Sequence, residues 1–208
     1  MGIDADEIEV LAGLEAVRSR PALYVGDVAA PGALHQLVEA VLCAAFDEAL
    51  GGTCQRIDVT VGDDGAVEVR DDGGGLPVEV HPTAGLPVCE VLLTHLLACR
   101  AMRRDPRAAD RFCGGGIAVT NALSAWLEVE IERGGRRYVQ RYERGVAQGP
   151  LADAGATSGH GTRLRFRPDP EIFGTARVDL ARLDNTLDEI RRLAPRTAVV
   201  LRGPRPPA

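Results

Sequence analysis

Apolar residues recur along this chain with two different spacings, and each spacing predicts one kind of element. Recurrence every three or four residues predicts helices near residues 8–17, 33–50, 87–102, 117–122 and 180–193. Alternation with polar residues predicts strands near residues 57–61, 67–71, 126–132, 138–144, 162–167 and 197–201. An Asp-Asp-Gly turn at residues 63–65 joins the first two strands as a hairpin. The pattern predicts a two-layer α/β sandwich, with helices on one face of a mixed, largely antiparallel sheet.

The length of 208 residues, without repeats or an interdomain linker, predicts a single domain over residues 1–208. We expect residues 1–9 to form an N-terminal arm and residues 203–208 a flexible tail. No apolar run is long enough to span a bilayer, and the acidic start lacks the features of a signal peptide. We therefore expect a cytoplasmic protein that does not bind membranes.

Charge and cysteine content exclude some classes of function. The net charge of −6 disfavours direct binding of DNA by the domain. All 24 basic side chains are arginine, so no lysine is available to contact a phosphate. The five cysteines are scattered, which favours free thiols over a zinc site or a disulfide framework.

The most informative motif is the acidic, glycine-rich run at residues 71–77. Alternation along the strand places Asp71 on the same buried face as Val67 and Val69. A buried carboxylate requires hydrogen-bond donors, and the glycines that follow let the backbone approach a ligand closely. Asp71 is therefore a candidate acceptor of a hydrogen bond from a donor group of a ligand, such as an exocyclic amine. The alternative interpretation is a capped turn after an edge strand.

Four landmarks in fixed order resemble a known family. They are residues 13–27, residues 34–35 with 46–49, residues 71–77, and residues 121–124 with 161–162. Together they closely resemble the gyrase-B-type ATPase domain of DNA gyrases and their topoisomerase relatives, within the GHKL superfamily (gyrase, Hsp90, histidine kinase, MutL) and its Bergerat fold. The resemblance runs from about Ile8 to Leu201, nearly the whole chain.

The resemblance implies an adenine nucleotide, ATP or ADP, as the ligand. Asp71 matches the aspartate that accepts the adenine amino group, and Thr162 matches the threonine that is hydrogen-bonded to it. Arg133 matches an arginine at the pocket mouth. The other residues carried over as nucleotide-binding are Val41, Ala45, Glu48, Gly73, Gly75, Leu76, Pro77, Leu92, Gly114, Gly116 and Leu164.

The residues that would act on the phosphates are missing from the matched positions. Ala40 stands where the family has the glutamate that activates water, and Ala44 stands where it has the asparagine that ligates Mg²⁺. Glu39 points about 100° away from the stripe of Ala40 and Ala44 on a helix, so it is no substitute. Because an alanine methyl neither ligates a hard cation nor takes a proton, we predict no catalytic residue and no metal ligand here. The loop arginine of the family is Gly74, so we expect Glu48 to lose its usual partner.

These residues lead to one main hypothesis and two alternatives. The first is a stand-alone pseudoenzyme that binds an adenine nucleotide and is not expected to hold Mg²⁺. For this hypothesis we expect neither a transducer domain nor a DNA-cleavage domain. The second is a gyrase-domain mimic that binds a gyrase or topoisomerase subunit, or its own copy. The third is a working ATPase of the DNA topoisomerase type, in which Glu48 or Asp47 acts through a shifted water.

Overall fold

The computed structural model describes residues 13–96, 98 and 115–204. Several predictions therefore lie outside the described residues. They concern the N-terminal arm at residues 1–9, the start of the first helix, residues 99–102 of the third predicted helix, Gly114, and the end of the C-terminal tail at residues 205–208.

Apart from two unpredicted helices of four residues each, the described helices follow the predicted order along the chain. They are α1 (Leu14–Ser19), α2 (Ala22–Val25), α3 (Pro31–Leu50), α4 (Val88–Thr94), α5 (Ile117–Ala122), α6 (Pro170–Phe173) and α7 (Leu180–Leu193). In the part of the chain that is described, no helix has the length and apolarity needed to cross a membrane.

The strands of the described residues form one sheet of eight. They are β1 (Arg56–Val61), β2 (Val67–Asp71), β3 (Ser124–Arg133), β4 (Arg136–Glu143), β5 (Val146–Ala147), β6 (Ala152–Ala156), β7 (Gly161–Pro168) and β8 (Ala198–Arg202). Their order is β5-β4-β3-β7-β2-β1-β8, with β6 also pairing with β4. Only β8 is parallel to its neighbour, β1, and the other pairs are antiparallel. The predicted fold class is confirmed.

Helix α3 is the central element of the helical layer. Proline at its first position starts it, and Gly51 follows its last residue. Most of its side chains are buried, because it contacts α2, α5 and α7 as well as strands β2 and β7. One side of α3 remains open, next to the end of β2. This open side forms a wall of the candidate site.

Two predictions about elements need correction. The helix predicted over residues 87–102 ends at Thr94, because His95 has an extended backbone with φ of −111° and ψ of 126°. Strands β5 and β6 were not predicted. β6 has the sequence Ala-Asp-Ala-Gly-Ala and is mostly exposed, so no alternation of apolar residues marks it.

The free-thiol prediction is correct at two of the described cysteines and wrong at a third. Cys54 and Cys89 are buried free thiols, and burial raises the pKa of Cys89 to about 11. Cys43 is disulfide-bonded. Among the residues the structure describes, no cluster of histidine, cysteine and carboxylate side chains is suited to a metal ion.

A buried carboxylate joins the N-terminal helix to the far end of the sheet. Asp169 is fully buried, and its Oδ2 lies 2.7 Å from Arg18 Nη2 and 3.1 Å from Arg144 Nε. Its Oδ1 accepts a hydrogen bond from Glu171 N and so caps α6. Arg18 also donates to the Ala122 carbonyl at the end of α5. Asp169 and Arg18 together therefore link four separate segments.

We expect Asp169→Ala to lower the free energy of unfolding by about 3 kcal/mol, since it removes a cap and leaves two guanidinium groups without their buried partner. Urea denaturation at neutral pH measures the change. Asp153→Ala is the matched control: Asp153 pairs with Arg136 and Gly155 N at the surface, and we expect a loss of only about 0–1 kcal/mol. Equal losses in the two variants would contradict the buried role of Asp169.

Candidate functional site

The site is built around Asp71, the last residue of β2. Alternation along β2 buries Val67, Val69 and Asp71 on one face, and Asp71 is only 7 % exposed. Its Oδ1 accepts hydrogen bonds from Gly73 N at 2.8 Å and Thr162 N at 3.3 Å. Within the described residues, Oδ2 accepts none. Asp71 therefore keeps one acceptor oxygen available for a donor group of a ligand.

Burial raises the pKa of Asp71 to about 6. The two backbone donors oppose this rise, whereas the nearby carboxylates of Glu48 and Asp72 add to it. The folded protein thus binds the Asp71 proton more tightly than the unfolded chain does. At neutral pH the Asp71 carboxyl is ionised, which lowers the stability of the folded protein. The ionised carboxylate is able to accept a hydrogen bond.

Thr162 supports the same loop from the neighbouring strand β7. Its hydroxyl accepts a hydrogen bond from Leu76 N at 3.0 Å, while its backbone N–H donates to Asp71. The resemblance implied a bond between this threonine and the aspartate. The bond exists, but it is made by the Thr162 backbone, and the hydroxyl fixes Leu76 instead.

The glycine loop after Asp71 is held from two sides. Glu48 on α3 accepts hydrogen bonds from Gly74 N at 3.2 Å and from the Thr53 hydroxyl at 2.5 Å. Arg133, at the end of β3, donates to the carbonyls of Gly74 and Gly75, each at 3.1 Å, and pairs with Glu79. Gly74 therefore meets Glu48 through its backbone, at the position where the resemblance implies an arginine side chain.

Gly75 sits where only glycine fits. Its φ is +75°, and a Cβ there would lie 2.9 Å from the carbonyl oxygen of Glu132 and 3.2 Å from that of Gly161. The loop can therefore lie flat against the ends of β3 and β7. This packing leaves Leu76 and Pro77 facing the cleft.

A cleft of about 740 Å³, counting the space at its open mouth, lies above Asp71. One wall is a stripe of α3 residues at helical spacing. The glycine loop after Asp71, α4, α5 and Arg133 contribute to the other walls. The described lining consists of Ala40, Cys43, Ala44, Asp47, Glu48, Asp71, Gly75, Leu76, Pro77, Leu92, Ile117, Arg133 and Thr162.

The structure brings most of the predicted site residues together. Seven of them line the cleft beside Asp71: Glu48, Gly75, Leu76, Pro77, Leu92, Arg133 and Thr162. Val41, Ala45 and Leu164 lie in the hydrophobic core and are not among the lining residues. Gly73 donates to Asp71, Gly116 precedes α5 as its N-cap, and Gly114 lies outside the described residues.

Ala40 and Ala44 both belong to the cleft wall, as helical spacing predicts. Glu39 is not part of this lining: its Oε1 lies 3.4 Å from the hydroxyl of Thr186 on α7, and burial raises its pKa. Methyl groups offer no oxygen or nitrogen ligand, so the residues at these two positions do not fit a Mg²⁺ ion.

Sequence reasoning missed Cys43 and Ile117 as lining residues, and it named Asp47 only in the third hypothesis, as a group acting through a shifted water. Cys43 and Asp47 share the stripe of Ala40 and Ala44, being three or four residues away along α3, so the helical spacing could have identified both as lining residues. Ile117 is the first residue of α5. Nothing in its own sequence context indicates that it faces the cleft.

Comparison with known proteins gives a consistent family assignment. A family model described as histidine kinase-, DNA gyrase B-, and HSP90-like ATPase matches residues 29–172. The gyrase B protein of Thermotoga maritima is 45% identical over 192 residues, which cover 92% of this chain and 30% of that protein. The gyrase B protein of Mycolicibacterium smegmatis is 43% identical over 187 residues, covering 89% and 27%.

A solved structure agrees with this assignment. The 43K ATPase domain of Thermus thermophilus gyrase B, in complex with an aminocoumarin, matches with a TM-score of 0.79 and 35% identity. The match covers 91% of this chain and 48% of that one. The chain thus spans less than a third of the curated relatives described above.

Proposed function

Because the chain belongs to the histidine kinase-, DNA gyrase B- and HSP90-like ATPase family, we propose that its cleft binds an adenine nucleotide through the base and hydrolyses ATP negligibly. The single observation that carries base recognition is the geometry of Asp71. Two backbone donors hold Oδ1, and Oδ2 is left to accept a hydrogen bond from an exocyclic amine. A donor at that position offsets the desolvation of the carboxylate.

Negligible hydrolysis is supported by the two alanines in the wall. In the resemblance, Ala40 and Ala44 occupy the positions of the water-activating glutamate and the Mg²⁺-ligating asparagine. Loss of a general base alone typically lowers a rate by about 10²–10⁴. Nucleotide binding and hydrolysis are therefore separated in this chain.

Two measurements test the proposal. Calorimetric titration of the folded protein with ADP is expected to give saturable binding, and phosphate release from ATP is expected to equal that of a protein-free blank. Absence of any binding would overturn base recognition. Phosphate release that Glu48→Ala abolishes would show that Glu48 replaces the missing base, and the pseudoenzyme half of the proposal would be wrong.

The raised pKa of Asp71 predicts a pH dependence of binding. Since the carboxylate form accepts the base amine, we expect the affinity for adenosine to be constant above pH 7. It should then fall about tenfold for each pH unit well below the pKa of about 6. Titrations between pH 8 and pH 5 measure this. An affinity that stays flat down to pH 5 would show that Asp71 does not accept a hydrogen bond from the ligand.

We further propose a topoisomerase subunit as the protein partner. The observation that favours it is the 45% identity to a gyrase B protein, which extends over 92% of this chain. Capture of purified gyrase subunits on the immobilised protein tests the idea, and the absence of a complex at micromolar concentration would contradict it.

A further inference from the structure

His160, the residue directly before β7, contacts the glycine loop from outside the cleft lining. Its Nδ1 lies 3.1 Å from the carbonyl oxygen of Gly73. Because a carbonyl oxygen only accepts hydrogen bonds, Nδ1 carries the hydrogen and donates. The N–H of the same Gly73 donates to Asp71 Oδ1 at 2.8 Å. Gly73 is therefore held between His160 on one side and the candidate base-binding carboxylate on the other.

The backbone on either side of His160 is fixed by glycines. A Cβ on Gly161 would lie 2.1 Å from a backbone carbonyl oxygen of β2, and a Cβ on Gly159 would lie 2.6 Å from Glu132 Oε2. In the same loop, the Thr157 hydroxyl donates to Glu132 Oε1 at 2.6 Å and accepts from Gly159 N at 3.0 Å. Close packing on both sides therefore sets the point from which the His160 side chain extends.

The peptide group between Gly73 and Gly74 is held at both of its ends. His160 binds its carbonyl oxygen, and Glu48 accepts its N–H at 3.2 Å. Between two glycines a peptide group can turn over with little strain, because neither residue has a Cβ. A turned group would lose both hydrogen bonds. His160 and Glu48 therefore select one orientation of this peptide group.

The peptide group between Gly75 and Leu76 is held in the same way by different residues. Arg133 donates to its carbonyl at 3.1 Å, and the Thr162 hydroxyl accepts its N–H at 3.0 Å. Neither of these bonds involves His160. This group is therefore an internal control for the effect of His160 on the loop.

We infer that His160 is a positioning residue for base recognition. By holding the Gly73 carbonyl it keeps the Gly73 N–H on Asp71 Oδ1, and so it fixes the direction in which Oδ2 faces the ligand. His160 acts through the backbone and does not touch the base. The inference rests on the proposed function and assigns a part in it to a side chain beyond the described lining of the cleft.

Amide hydrogen exchange in the ligand-free protein, followed by NMR, tests the chain of hydrogen bonds. His160→Leu removes the donor, and we expect the Gly73 amide to exchange about fivefold faster than in the unmodified protein. The Leu76 amide should keep its rate within about twofold, since its partner is the Thr162 hydroxyl. No change at Gly73, or an equal change at both amides, would overturn the inference.

His160→Asn is the matched rescue of His160→Leu. Asparagine has nearly the shape of leucine, but it carries an amide donor as many bonds from Cβ as Nδ1. In calorimetric titrations we expect adenosine to bind about fivefold more weakly to His160→Leu and within about twofold of the unmodified affinity to His160→Asn. Ser158→Ala, at an exposed position of the same loop, is the control and should bind normally.

The outcomes of the titrations separate the inference from the proposed function. Equal affinity in the unmodified protein and His160→Leu would overturn the inference and leave base recognition intact. An equal loss in His160→Leu and His160→Asn, or in His160→Leu and Ser158→Ala, would overturn the role of the donor. If the unmodified protein binds no adenosine, the proposed function fails, and the inference fails with it.

Discussion

Asp71→Asn is expected to abolish adenine binding while making the fold more stable. The amide has the shape of the carboxylate, but it carries one donor group and one acceptor. If its oxygen accepts from Gly73 N and Thr162 N, its NH₂ group faces the base amine; if it turns round, NH₂ faces the two backbone donors. Either arrangement sets donors against donors, so we expect affinity for adenosine to fall at least about 100-fold.

The gain in stability follows from the pKa of Asp71. The rise from 3.8 to about 6 on folding corresponds to about 3 kcal/mol of instability at neutral pH, which a neutral side chain does not incur. The gain in free energy of unfolding of Asp71→Asn over the unmodified protein should be complete above pH 7. It should shrink as pH falls through 6 and vanish only below about pH 3, where the carboxyl is protonated in both the native and the unfolded state.

Asp72→Asn is the matched control for this prediction. Asp72 is the next residue along the chain, and its Oδ1 accepts hydrogen bonds from Gln55 N and Arg56 N, away from the cleft lining. In Asp72→Asn we expect neither a loss of adenosine binding nor a gain in stability. Urea denaturation as a function of pH and calorimetry measure both properties. A destabilised Asp71→Asn, or one that binds adenosine normally, would contradict the role given to the carboxylate.

Gly161→Ala is expected to produce the largest loss of stability in the molecule, about 5 kcal/mol or more. Gly161 has a φ of +117°, which side chains rarely adopt, and a Cβ there would lie 2.1 Å from the carbonyl oxygen of Asp71. That contact is with backbone, so relief requires β2 and β7 to separate at the point where they form the site. Chemical denaturation of the variant measures the loss.

Gly155→Ala separates backbone strain from steric overlap, the two causes of the stability loss expected for Gly161→Ala. Gly155 has a similar φ of +106°, but nothing lies within 4 Å of its Cβ position. We expect this variant to lose only the backbone strain, about 1–3 kcal/mol. The difference between the two variants then measures the close approach of β7 to Asp71. Equal losses would show that β7 does not approach the end of β2 as closely as the geometry requires.

The sequence predicts an element of this fold well where the order of side chains marks it, and poorly where backbone hydrogen bonds alone hold it. Period-2 alternation in β2 correctly placed Asp71 on the buried face with Val67 and Val69, because that alternation is a property of extended backbone. The mostly exposed strand β6 gave no such signal. It is held by backbone pairing with β4, which leaves no trace in the order of side chains.

The same distinction applies to the site. Helical spacing placed Ala40, Ala44 and Glu48 on one stripe of α3, and the structure has all three in the cleft. Val41 and Ala45 are each one residue further along α3, a rotation of about 100°, which explains why they face the core instead. The approach of Ile117, Arg133 and Thr162 from three distant elements depends on sheet order and loop closure, which local patterns do not encode.

The most direct test of the central claim, base recognition without action on the phosphates, is a crystal structure of the protein soaked with a non-hydrolysable ATP analogue and Mg²⁺. We predict an adenine ring in the cleft, with its exocyclic amine within hydrogen-bond distance of Asp71 Oδ2, and no ordered Mg²⁺ beside Ala44. Adenine bound elsewhere, or a Mg²⁺ ion ordered at the wall of α3, would contradict it.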